Sequence, residues 1–140
     1  MPSSPQNQRR PELLVNDATT NDSDKTFTVP AGEEWEIGSL FVLFVTTATV
    51  GNRQLRVFLN DAAGVEFARV IGALTQAASQ TGTYTFAPNL TAGGSVAYGA
   101  RDSFPQVMLP AGYTVRIQEF NIVDATADDM TVRIFGYRAR

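Results

Sequence analysis

The chain has 140 residues, of which 44% are hydrophobic and 18% charged, and its formal net charge is -3. That length suits one domain around one core, and the apolar share excludes a chain disordered throughout. Neither Cys nor His occurs, which removes disulfides, thiolate and imidazole chemistry and the commonest zinc ligands, so neither a cofactor nor a metal site is expected.

Residues 1–11 combine three prolines with Ser, Gln, Asn and the pair Arg9 and Arg10. Proline disfavours helix and sheet pairing alike, and the segment has little apolar area to bury, so an extended arm is expected. Leu13, Leu14 and Val15 follow, an apolar patch that is costly to leave in water on a tail. The reading is an N-terminal arm over residues 1–16, contacting a neighbouring subunit through Arg9, Arg10, Leu13, Leu14 and Val15, ahead of a β-domain over residues 17–140. The N-terminus carries no apolar leader and no stretch reaches the length of a membrane span, so synthesis in the cytoplasm and no membrane partner are expected. Ten arginines and one lysine are scattered along the chain, and no nucleic-acid partner is expected.

Residues 17–24 are Asp, Asn, Ser and Thr with one Ala, a loop composition. Residues 25–29 and 34–37 alternate polar and apolar with the period of a strand. Between them lies Pro30-Ala31-Gly32, and the same tripeptide, Pro110-Ala111-Gly112, precedes the alternating residues 113–117. Both predict tight hairpins at matching corners of a sandwich. Residues 40–45, Leu-Phe-Val-Leu-Phe-Val, do not alternate. Such a strand needs cover on both faces, from the opposite sheet and from either a neighbouring subunit or the chain's own loops or arm.

Residues 53–59 and 65–70 read as strands joined by a hairpin at Asn60-Asp61-Ala62-Ala63-Gly64. Over residues 71–82 the helical spacing of Ile71, Leu74 and Ala78 competes with Thr75, Ser79 and Thr81, which favour an irregular or extended path, and a strand is favoured over a helix. Residues 83–86 form a strand, and 90–101, rich in Gly, Ala, Ser and Thr, a long exposed loop. Residues 104–109 form a strand with Pro105 at its end or at a sheet edge. Residues 113–123 and 130–137 complete the set across an Asp-rich linker, 124–129. The pattern is all-β, with no helix. It predicts a jelly-roll β-sandwich of about eight antiparallel strands with an extended N-terminal arm; an immunoglobulin-type sandwich is the alternative, although Trp35 has no Cys pair to pack on.

Three groups of residues invite a chemical reading. Asp124, Asp128 and Asp129, like Asp17, Asp22 and Asp24, present clustered carboxylates of the kind that bind calcium, but the spacing fits no EF-hand and capping of turn backbone accounts for them. Glu33, Glu34 and Glu36 with Asp61 or Glu66 offer an acid and base pair, yet carboxylates on the polar face of a strand suit cross-strand pairing with Arg53, Arg56, Arg116 or Arg133 better. Trp35, Tyr84, Tyr98, Tyr113 and Tyr137 offer sugar-stacking rings, set against a core Trp35 and tyrosines at sheet ends with wet hydroxyls. No catalytic residue is assigned, and the chain is not expected to be an enzyme.

Several stretches carry a resemblance: Val29-Pro30-Ala31-Gly32-Glu33-Glu34-Trp35-Glu36-Ile37, Leu55-Arg56-Val57, Gln76-Ala77-Ala78-Ser79, Tyr84-Thr85-Phe86-Ala87-Pro88, Leu109-Pro110-Ala111-Gly112-Tyr113-Thr114-Val115-Arg116-Ile117 and Asp124-Ala125-Thr126-Ala127-Asp128-Asp129-Met130. Together they resemble small virion structural proteins of tailed bacteriophages, most of all jelly-roll capsid decoration (cement) proteins. The resemblance implies a homotrimer on the capsid exterior, bound to the major capsid protein, with an N-terminal arm laid across a neighbouring subunit. The alternative is a trimeric tail-fibre or baseplate module that binds a receptor carbohydrate; a short polar arm with no shaft ahead of the β-domain favours the cement subunit.

Overall fold

The computed structural model describes residues 10–140, so Arg9 lies outside the described residues. The strands are β1 (Glu12–Asp17), β2 (Asp24–Thr28), β3 (Glu34–Val45), β4 (Leu55–Asn60), β5 (Glu66–Ile71), β6 (Thr81–Ala87), β7 (Gly93–Ser95), β8 (Gly99–Ser103), β9 (Met108–Leu109), β10 (Thr114–Glu119) and β11 (Asp129–Ala139). They form a seven-stranded sheet in the order β1-β11-β3-β6-β8-β7, with β9 also on β3, and a four-stranded sheet in the order β2-β10-β4-β5.

The topology is that of one long hairpin rolled up. Four antiparallel pairs, β1 with β11, β2 with β10, β3 with β6 and β4 with β5, run from the outside of the hairpin to its tip. The pairs β11 with β3 and β10 with β4 then close the two sheets. This is a jelly roll, and eight principal strands carry it. Strands β7, β8 and β9 are additions to the larger sheet.

Trp35, Ile37, Leu40, Val42 and Phe44 of β3 are buried in the core with Val57 and Leu59 of β4 and Val115 and Ile117 of β10. The parity of β3 changes partway: positions 35 and 37 point inward, then 40, 42 and 44. A one-residue slip normally turns the following side chains to the other face. Here Phe135 pairs with Ser39 and Gly136 with Ile37, leaving Gly38 as the extra residue of a bulge. Two separately legible segments thus join into one twelve-residue strand with a single buried face.

The two Pro-Ala-Gly segments are turns but not hairpins. In each, the fourth residue's N–H bonds the proline carbonyl (Glu33 to Pro30, 3.1 Å; Tyr113 to Pro110, 3.2 Å). Gly32 and Gly112 have φ of 80° and 86°, a region that glycine enters without a Cβ clash. The strands on either side belong to different sheets, so each turn is a corner from one sheet to the other. The corners are stitched together by Val29 N–H to Tyr113 C=O and Gly112 N–H to Val29 C=O, both 2.9 Å.

Three local expectations are corrected. The loop expected over residues 90–101 contains β7 and most of β8, which lies parallel to β6 and buries Ala100; its small residues have low β-propensity, and pairing overrides it. Residues 72–80 are irregular, with only a bridge between Arg53 and Gln76. Of residues 104–109, only Met108 and Leu109 pair with a neighbour.

Candidate subunit-contact surface

The apolar run of β3 has one face in the core and the other on the outside of the larger sheet. Phe41 and Leu43 are half-buried there and Val45 is 37% exposed. Their cross-strand neighbours are Arg133, Thr131 and Asp129 of β11 and Thr85, Thr83 and Thr81 of β6. Phe135 of β11, 44% exposed, lies opposite Leu13 of β1, 41% exposed, and on its other side opposite Ser39. Diagonal neighbours on one sheet face lie within reach of large side chains, so Leu13, Phe135, Phe41, Leu43 and Val45 form an apolar stripe, bordered along β3 by Thr81, Thr83 and Thr85 on one side and by Asp129, Thr131 and Arg133 on the other. The second cover that this strand requires is only partly supplied by the chain itself.

The residues expected to contact a neighbouring subunit are divided by the structure. Arg10 is exposed just before β1. Residues 12–17 are not an arm but an edge strand of the chain's own sheet, paired with β11, so the boundary expected after residue 16 moves back to the start of β1. Leu14 and Val15 pack against the core; a bulge between Leu13 and Val15 places both against the domain while Leu13 stays outward. Only Leu13 joins the stripe. Phe135 was not singled out in the sequence, although the alternation of residues 130–137 puts an outward aromatic there.

At one end of the sandwich a second group of residues is fully buried. Arg53, Glu119 and Asp128 each have no exposed side-chain surface. Arg53 Nε donates to Asp128 Oδ2 at 3.0 Å and lies 3.9 Å from Glu119 Oε1. Its Nη1 donates to the carbonyls of Thr49 and Gly51, both at 2.8 Å, and Nη2 to Thr47 Oγ1 at 3.2 Å. Glu119 accepts from Ser23 Oγ at 2.9 Å and from the N–H groups of Val123 and Asp124. Burial pushes the Glu119 carboxyl up, and the Asp128 carboxylate beside it adds to the shift. Burial also works against ionised Asp128, but the Arg53 guanidinium and the Thr47 N–H outweigh it and hold Asp128 below its usual range.

This network revises the roles expected of several residues. Arg53 does not face solvent: it is buried between Asp128 and Glu119, the last residue of β10. Asp128 belongs to a buried ion pair, while Asp124 accepts from Thr47 Oγ1 and Thr49 Oγ1 and Asp129 from the Asn21 N–H. Among the described residues no three side chains are arranged to hold a metal ion. Three of the carboxylates considered as an acid and base pair have structural partners: Glu33 sits 3.0 Å from Arg138 and accepts from Trp35 Nε1, Glu66 pairs with Arg69, and Asp61 caps the β4–β5 hairpin. Trp35 is in the core as expected. Tyr84, expected at a wet sheet end, is buried and donates to Gln76 Oε1 at 2.8 Å.

The fold defines the class: an all-β, two-sheet sandwich with jelly-roll strand order. No family model and no curated protein matches this chain. Among solved structures it is similar to a chain from the "Structure of infectious bursal disease virus Gx strain", with a TM-score of 0.34 and 13% sequence identity. The alignment covers 92% of this chain and 39% of that one, so this chain spans about two fifths of its length.

Proposed function

We propose that this chain is a structural subunit of a virus particle, a capsid decoration (cement) protein on the head of a tailed bacteriophage, which acts by binding protein and not by catalysis. The observation that supports the reading is the apolar stripe on the outer face of the larger sheet, Leu13, Phe135, Phe41, Leu43 and Val45. Each such side chain contributes up to about 1.5–3 kcal/mol when fully buried. Association itself costs about 4–15 kcal/mol, so partial burial of the stripe makes a modest interface. Many modest contacts repeated over a shell, with a homotrimer as the unit and the major capsid protein as the partner, suit cementing.

A second reading, a receptor-binding module of a tail, is favoured by Tyr98, which is 96% exposed in the turn between β7 and β8 and offers an aromatic ring to a sugar. Quantitative mass spectrometry of purified particles separates the two. Copies comparable in number to the major capsid protein support the cement subunit. A few copies or a few dozen support the tail module, and absence from particles removes both.

A further inference from the structure

The outer face of the smaller sheet carries a different kind of surface. Phe58 of β4 pairs in register with Arg69 of β5 and Arg116 of β10, and Arg56 lies two residues earlier on the same face. The three guanidinium groups stand over the Phe58 ring at 3.9 Å (Arg56), 5.6 Å (Arg69) and 5.5 Å (Arg116) from its centroid. Beneath them Phe58 is 5% exposed. Arg56 is also 4.2 Å from the Phe120 centroid, so two aromatic rings hold its planar group.

The three arginines are not equally satisfied. Arg116 makes two bonds to Asp24, at 2.8 and 2.7 Å, and Arg69 two to Glu66, at 2.6 and 2.9 Å. Arg56 donates from Nη2 to the neutral Gln118 Oε1 at 2.9 Å, and its buried Nε finds no acceptor among the described residues. On the same face Asn60 has a buried Oδ1 with no donor among them. Three cations against two carboxylates leave one positive charge over, and it falls on the arginine that is already fixed in place. Burial and the nearby Arg69 both act against the charged form of Arg56, a pressure that an incoming carboxylate relieves. Ile71, opposite Arg56 in register and 41% exposed, adds an apolar contact beside the charge.

We propose that this face docks an acidic peptide segment of a partner protein, with one Asp or Glu carboxylate received by Arg56 and an apolar neighbour resting on Ile71. A single surplus charge matches one carboxylate, whereas a chain of net charge -3 repels a polyanion such as nucleic acid. The proposal rests on the reading of the chain as a protein-binding subunit, and its test uses the isolated full chain, so its outcome is independent of whether particles contain the protein.

The test follows the arginine Nε–Hε resonances while a short capped peptide with a central Leu-Glu pair is added, then its Leu-Gln counterpart, then inorganic phosphate. The expected result is a saturable shift at Arg56, about tenfold weaker binding of the Gln peptide, and a similar loss in Arg56→Lys with an unchanged backbone spectrum. Arg101→Ala, exposed on β8 of the other sheet, should bind as the parent does. Equal binding of the two peptides, no shift at Arg56, or tighter binding of phosphate than of the Glu peptide would each overturn the proposal.

Discussion

Arg53 and Asp128 form an ion pair whose two side chains are both fully buried, and it ties the segment before β4 to the start of β11 across 75 residues of chain. Removing one member of such a pair leaves the other charged and unpaired in a medium of low polarity, a loss of about 3–5 kcal/mol. Arg53→Ala leaves two buried carboxylates, Asp128 and Glu119, without their cation. It should lower stability by about that amount, and Asp128→Asn by a similar one, both read from urea unfolding midpoints at constant slope. A loss below about 1 kcal/mol for both would show that the pair is not buried in solution.

The same cluster sets a pH dependence. Glu119, with its carboxyl pushed up by burial, favours folding most when protonated; that contribution is full below the unfolded value and is lost as pH rises through the raised folded value. Asp128, held low, behaves oppositely: its contribution is present above the unfolded value and is lost as pH falls through the lowered one. Glu119→Gln imitates the protonated form. The wild type should therefore lose stability relative to Glu119→Gln between about pH 4 and about pH 7. Denaturant titrations at both pH values check this, and a pH-independent difference would contradict it.

At the N-terminus the structure separates two truncations. Removing residues 1–11 leaves every strand of the described residues in place, so the circular-dichroism spectrum and unfolding midpoint should be unchanged. Removing residues 1–17 takes away β1, uncovers one edge of β11 and exposes what Leu14 and Val15 cover. That deletion should cost about 2–4 kcal/mol. Equal stability of the two truncated chains would mean that β1 does not pair in solution.

How much of this was legible depends on how local the signal is. The β4–β5 hairpin was, because Asn60-Asp61-Ala62-Ala63-Gly64 carries its own turn chemistry: Asp61 accepts from the N–H groups of Ala63 and Val65. The doubly apolar character of residues 40–45 was also plain, and it led to the outer stripe. The Pro-Ala-Gly turns misled, since a turn fixes the local chain reversal and not the sheet that the next strand joins. Strand β8 was hidden because its order comes from parallel pairing with β6. The Arg53, Glu119 and Asp128 cluster left no local trace, as an arginine at the start of a strand reads as solvent-facing until the roll brings its partners to it.

On the proposed function, the outer face of the larger sheet joins this chain to further copies of itself. Light scattering after gel filtration of the full chain tests it most directly, alongside a Phe41→Ser, Leu43→Ser double variant that changes only outward-facing positions of β3. The expected result is a species of three times the 15.2 kDa chain mass for the wild type and a folded monomer for the variant. A wild type that remains a monomer of 15.2 kDa at every concentration, or a variant that assembles as the wild type does, would contradict it.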